Sequence, residues 1–163
     1  MPVITIANTK GGTGKSTICA NLAVELVNKG HTICVIDADR QATLFNWNRV
    51  RELSIANGAA LMPIPTFQVE GSTLISFVSE QKKKGLIVLI DSPGVNDPNH
   101  RASLPTADFI LTPCSPSPAE LWALTNLLGN IQELRKSPKT FARLPIFATA
   151  QSGEAPHQPN GKY

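Results

Sequence analysis

The run VITIANTKGGTGKST, residues 3–17, constrains this chain more than any other stretch. It opens with β-favouring apolar residues, passes through Gly11, Gly12 and Gly14, and ends in Lys15-Ser16-Thr17. A helical pattern follows from Ser16 to Lys29, with Ile18, Leu22 and Leu26 on one face and Gly30 as its stop. A strand that turns through glycines straight into a helix has two readings. One is an ordinary glycine-rich turn. The other is a loop whose backbone N–H groups curl round phosphate oxygens, with the helix dipole behind them. GKST at the helix start selects the second.

The rest of the chain repeats the same alternation. TICVI (32–36) reads as a strand and 42–57 as a helix before Gly58. IPTFQV (64–69) reads as a short strand flanked by prolines. Ser72 is placed to cap a helix to Lys84, closed by Gly85, and LIVLI (86–90) and FILT (109–112) are further strands. Ser117-Pro118-Ala119-Glu120 has the form of a capping box opening a helix to about Lys136, and PIFATA (145–150) is the last strand. Continuous apolar strands separated by helices predict an α/β fold, a mostly parallel sheet with helices on both faces. No repeat or linker divides residues 1–150. The polar stretch 151–163 is expected to be a disordered tail.

With 42% hydrophobic and 17% charged residues the chain has the makings of a globular core, and a net charge of +3 permits an anionic partner without requiring one. Cys19, Cys34 and Cys114 form no CxxC pair and read as small buried hydrophobes. His31 and His100 fall in expected loops and His157 in the tail, so none is given a role. The N-terminus lacks a signal-peptide pattern and LIVLI is too short to span a bilayer, which predicts a cytoplasmic protein with no membrane partner.

In such sheets ligands bind at the carboxyl ends of the strands. Those ends carry Lys10 to Thr17, then Asp37-Ala38-Asp39, Asp91-Ser92-Pro93-Gly94, and Pro113 to Ser117. Glycines, lysines, hydroxyls and three carboxylates converge on phosphate and metal chemistry. Gly11, Gly12, Thr13 and Gly14 supply the loop backbone, and Lys15 reaches the β- and γ-phosphates. Ser16 is placed to ligate Mg²⁺, with Thr17 beside it. Asp91 is a metal-holding carboxylate of the Walker-B type, and Gly94 leaves room for its loop to approach the γ-phosphate. Either Asp37 or Asp39 is suited to orient the attacking water. The strict loop pattern wants glycine at position 9, which is Thr9 here, and Lys10 is a lysine that a single mononucleotide site does not need.

KGGTGKST, VIDADRQAT, LIVLIDSPG and ILTPCSPSPAELWAL, in that order, resemble the ParA/MinD superfamily of deviant Walker ATPases, and within it the ParA-type DNA partition proteins. The likeness covers residues 1 to about 150. It implies a phosphate-loop NTPase that binds ATP and Mg²⁺ and works as an ATP-dependent homodimer. In such a dimer the early lysine, matched by Lys10, crosses to the partner's phosphates. The water-orienting aspartate is matched by Asp39, and Asp37 is the first of its pair, counted with Ser16 and Asp91 in the metal set. The resemblance further implies a centromere-binding partner of the ParB type, nonspecific DNA binding in the ATP dimer, and association with the nucleoid.

Two positions depart from the family. Arg40 stands where partition proteins commonly carry proline. Relatives also continue past the strand matching PIFATA with elements that contribute adenine contacts and basic DNA-binding surface. The expectation is therefore an ATPase domain shortened at its C-terminus, as by a frameshift, with apolar surface and a sheet edge uncovered. Arg49, Arg51, Lys82 to Lys84, Arg135, Lys136, Lys139 and Arg143 are candidates for a DNA surface, or equally for solvated helix faces and helix-dipole partners. Trp47 and Trp122 are expected in core or interface. Competing readings are a conjugation-associated homologue and a noncatalytic fragment that binds a partner. A membrane-surface division regulator would need an amphipathic C-terminal helix and an iron–sulfur carrier paired cysteines, and the sequence shows neither.

Overall fold

The structure, a computed structural model, describes residues 1–94, 97–114, 117–135 and 146–150. The expected tail and the basic residues Lys136, Lys139 and Arg143 lie outside the described residues, as does the Arg135 side chain. In chain order the elements are β1 (Val3–Ile6), α1 (Lys15–Asn28), β2 (Ile33–Asp37), α2 (Thr43–Ala56), β3 (Thr66–Gln68), α3 (Thr73–Lys83), β4 (Ile87–Asp91), α4 (Pro98–Ser103), β5 (Phe109–Cys114), α5 (Pro118–Arg135) and β6 (Ile146–Ala150). The strands form one sheet in the order β3-β2-β4-β1-β5-β6, and every pair is parallel. The expected α/β architecture is therefore present.

Period-two alternation divides the strands between two faces. Ile33, Val35, Ile87 and Leu89 join Cys19, Ala23, Val27 and Leu44 under α1 and α2. Cys34, Ile36, Val88 and Ile90 join Leu74 and Val78 of α3, with Ala102 of α4 packed against them. Ala7 and Ile110 meet Leu127 and Ile131 of α5. Because both faces are covered, the central strands β2 and β4 are buried at all five positions, which is why their sequences read as unbroken apolar runs.

Several local expectations change. The deepest face of α1 is Cys19, Ala23 and Val27 rather than Ile18, Leu22 and Leu26, which flank it half-buried. Small residues there let the helix sit close to the sheet. Ser72 occupies the N-cap of α3 but its side chain makes no cap hydrogen bond. The hydroxyl of Thr73 bonds the Glu70 carbonyl instead. Ser117 does accept from Glu120 N–H at 3.3 Å, yet the Glu120 carboxylate does not complete a capping box; it turns to the phosphate loop. His100, expected in a loop, is fully buried in α4. That helix was not foreseen, although Asp97 caps it through Asn99 N–H and Pro98 takes its first turn. Cys19 and Cys34 are free and buried as expected, with Cys114 half-buried.

Leu89 is wholly buried at the centre of the α1 face, whereas Ile75 of α3 is 53% exposed. Leu89→Ala is expected to lower unfolding free energy by about 2–5 kcal/mol and Ile75→Ala by less than about 0.5 kcal/mol, measured by urea denaturation.

Candidate functional site

The loop between β1 and α1 turns through Gly12 (φ 73°) and Gly14 (φ 83°), a backbone region that side chains other than glycine enter only with strain. Gly14 is the N-cap of α1 and no side chain caps the helix, so its first-turn N–H groups face the loop cradle. Lys15 is only 8% exposed, and its Nζ donates to the Lys10 carbonyl at 3.0 Å. Burial lowers its pKa, while Asp91, Asp39 and Glu120 nearby hold the charge on.

Asp91 ends β4 beside Ile6 of β1 and Asp37 of β2 in register. It is 1% exposed, and among the described residues no donor other than the Ser16 hydroxyl approaches its carboxylate oxygens. Burial pushes its pKa up to about 7, against the pull of the nearby Ser16 hydroxyl and Lys15. A buried carboxylate set beside a hydroxyl and a lysine has the chemistry of a hard-cation ligand.

Asp37 is equally buried but fully engaged. One oxygen accepts from Asp39 N–H at 3.0 Å and the other from Phe45 N–H at 2.9 Å, inside the first turn of α2. Its pKa too is raised by burial, those backbone bonds opposing. Asp39 lies at the rim, one oxygen accepting from Gln41 N–H at 2.9 Å. Lys10, Lys15, Ser16, Asp37, Asp39 and Asp91 thus gather at one edge of the sheet, as the sequence reading required.

Three residues upstream of the glycines fasten the loop to α5. Asn8, fully buried, donates to the Pro113 carbonyl at 2.6 Å and to Glu120 at 3.4 Å, and accepts from Lys10 N–H at 3.0 Å. Thr9, which stands where the strict pattern has glycine, donates to the Ala123 carbonyl at 2.9 Å. The Lys10 ammonium pairs with Glu120 at 2.7 Å, half-exposed itself while Glu120 is buried. Glu120 and Asn8 were not foreseen as site residues, because Glu120 fits a capping box equally well.

Of the basic residues named as DNA-surface candidates, Arg49 and Lys83 are exposed. Lys82 pairs with Asp108, Lys84 with Glu80, and Arg51 donates to the Met62 carbonyl. Trp47 is half-buried with Arg51 over its ring at 6.0 Å, whereas Trp122 is 71% exposed on α5.

A parallel sheet whose first strand feeds a glycine loop into an uncapped helix, with carboxylates at the neighbouring strand ends, defines a phosphate-loop nucleotide-binding protein. Residues 4–149 match the CobQ/CobB/MinD/ParA nucleotide binding domain, and the chain belongs to that family. It is 30% identical over 148 residues to the maintenance of carboxysome distribution protein A of Halothiobacillus neapolitanus, covering 90% of this chain and 66% of that one. It is 31% identical over 116 residues to protein ParA of Rhizobium radiobacter, covering 71% and 50%. The chain thus spans between half and two thirds of these relatives. Among solved structures it shares its fold with cobyrinic acid a,c-diamide synthase from Mycobacterium smegmatis, bound to an ATP analogue and magnesium, at TM-score 0.72, 18% identity and 92% and 74% coverage. MinD from Aquifex aeolicus aligns at TM-score 0.68, 20% identity and 91% and 69% coverage. No helix among the described residues is long and apolar enough to cross a membrane.

The buried carboxylate of Asp91 has a stability consequence. Its folded pKa of about 7 lies above the ordinary value of 3.8. The folded state therefore holds the proton more tightly, and stability falls as pH rises from about 4 to about 7 and stays low above that. In nucleotide-free, Mg²⁺-free protein, Asp91→Asn should be more stable than wild type at pH 8, the gap shrinking by about 1.4 kcal/mol per pH unit between pH 7 and pH 4. Urea melts across that range read it, and parallel pH profiles for the two proteins would refute it.

Proposed function

We propose that this chain binds ATP with Mg²⁺ and hydrolyses it as a nucleotide-dependent dimer switch in plasmid or chromosome partition. The buried carboxylate of Asp91, with the Ser16 hydroxyl and Lys15 close to it, carries the reading. Two protein oxygens, from Ser16 and Asp91, suit a cation that keeps its waters and the substrate's phosphates. Asp37 adds negative charge at the same end while its oxygens hold the turn. Mg²⁺, when bound, neutralises charge on the phosphates.

Gly11, Gly12, Thr13 and Gly14 wrap the phosphates with backbone N–H groups, Lys15 adds its ammonium, and Ser16 and Thr17 open the helix that points at them. Asp39 at the rim orients the attacking water. Lys10 acts across a homodimer, supplying charge to the partner's phosphates; a cation in trans is worth about 10³–10⁵ in rate, by analogy with arginine fingers. In the single chain that ammonium is held in cis by Glu120, so dimerisation exchanges one anionic partner for another.

In this reading the protein works in the cytoplasm at the nucleoid. The ATP dimer binds DNA nonspecifically, with the exposed Arg49 and Lys83 available to phosphates, and a ParB-type centromere-binding protein stimulates release. The family membership and the ParA relative support this. The carboxysome-distribution relative, aligned over 90% of this chain, makes a proteinaceous cargo the second reading.

Phosphate release with Mg-ATP tests the proposal. Lys15→Ala should lose nucleotide binding. Lys10→Ala and Asp39→Ala should keep binding within about threefold and lose turnover by about 10²-fold or more. Wild type that neither binds nor turns over ATP would refute it. By sedimentation, Glu120→Gln should raise the ATP-dependent dimer fraction at fixed protein concentration, since it frees Lys10.

A further inference from the structure

Asn99, on the unforeseen helix α4, is 2% exposed and reaches two other loops at once. Its amide nitrogen donates to the Ala38 carbonyl at 3.2 Å, and its oxygen accepts from Gly71 N–H at 2.6 Å. Ala38 is the middle residue of Asp37-Ala38-Asp39. The peptide unit entering Asp39 is therefore gripped at both ends: Asn99 holds its carbonyl and Asp37 holds its N–H at 3.0 Å. A third bond, Ala38 N–H to the Asp91 carbonyl at 3.0 Å, fixes the preceding unit. On its other side the Asp39 carbonyl accepts from Ala42 N–H at 2.9 Å, so the peptide planes before and after Asp39 are both held, and with them the direction in which its side chain leaves the backbone.

α4 is itself anchored to the strand end that carries Asp91. The next residue, His100, is fully buried with Nδ1 at 3.1 Å from both the Ser92 hydroxyl and the Pro93 carbonyl. The Ser103 hydroxyl donates to the His100 carbonyl at 2.9 Å and lies 3.2 Å from the Ser92 hydroxyl oxygen. At the surface Arg40 spans Glu70 at 3.3 Å and Asp97 at 3.8 Å, closing the same three loops. Exposed pairs of that kind add little, so the buried Asn99 amide is the connection that counts.

We propose that Asn99 is a positioning residue for hydrolysis, holding Asp39 at a fixed offset from Asp91 so that water and metal are presented together. The inference rests on Asp39 orienting water in the proposed ATPase. Losing the Asn99 donor would leave the Ala38 carbonyl buried without its partner and free the turn to re-aim Asp39, and displacements of about 1 Å at a reacting group can cost 10²-fold.

The test is Mg-ATP turnover and Mg-AMPPNP affinity of the full chain for wild type, Asn99→Ser, Asn99→Leu, Asp39→Ala and the double variants. For Asn99→Ser and Asn99→Leu, kcat should fall by about 10–100-fold with analogue affinity within about threefold. In the Asp39→Ala background either Asn99 change should have no further effect on residual turnover, because Asn99 acts through Asp39. If Asn99→Leu fails to fold, as its thermal melt would reveal, Asn99→Ser alone decides. Unchanged kcat in a folded Asn99 variant, or the same fractional loss with and without Asp39, overturns the inference while leaving the ATPase intact. Absence of wild-type turnover overturns the ATPase reading and the inference with it.

Discussion

The parallel pairing of β1 with β4, which sets Ile6 level with Asp91, is the constraint on which the rest of the molecule depends. Side chains alternate along a strand, so Ile87, Leu89 and Asp91 share one face, and Ile33, Val35 and Asp37 share the same face of β2. That is the face covered by α1 and α2. Asp91 is thereby brought to Ser16 and Lys15 at the start of α1, and Asp37 to the first turn of α2. A slip of one residue would send both carboxylates to the α3 side and their apolar neighbours the wrong way. The same apolar residues that hold the register build the core, so the site cannot be displaced without dismantling the fold.

Gathering ions at that edge costs stability. Lys15, Asp37 and Asp91 are all buried, and burial works against the charged form of each. Asp37 recovers part of that through two backbone bonds, and Lys15 through the Lys10 carbonyl and its acidic neighbours. Asp91 recovers least, with no backbone donor among the described residues on either oxygen and only the Ser16 hydroxyl and Lys15 nearby. Its strand is buried at every position and paired on both sides, which is where the sheet can best bear the cost.

The fold was legible in the sequence because both-face burial turns a strand into an uninterrupted apolar run, and LIVLI and TICVI are such runs. The glycines and the residues after each strand were legible because loop and helix start follow directly in the chain. What escaped depends on contacts between distant segments. Asn8 and Glu120 are 112 residues apart, and Asn99 and Ala38 are 61. Glu120 in particular satisfies a local rule, three residues after Ser117, so periodicity cannot tell a capping glutamate from one aimed at Lys10. In α4 the Asp97-Pro98 start signal was present but followed by only six helical residues, too short for a hydrophobic period.

The residues that escaped are not scattered. Ala102 of α4 packs with Val3 and Val88, and α5 packs on Ala7 and Ile110; both helices lie on the face opposite α1. From that side α5 grips the upstream half of the phosphate loop through Asn8, Thr9 and Lys10, while α4 grips the turns bearing Ser92 and Ala38. The sheet thus separates two tasks. Loop glycines, Lys15 and Ser16 present themselves from the α1 side, where local sequence dictates the geometry. Orientation of Lys10 and Asp39, the two rim residues, is governed from the other side by buried amides and a carboxylate. Both holds have a buried partner: releasing Lys10 would leave the Glu120 carboxylate buried without its cation, and releasing Asn99 would leave the Ala38 carbonyl without its donor. Lys10 and the turn bearing Asp39 are thus each held from behind the sheet, the one by Glu120 of α5 and the other by Asn99 of α4.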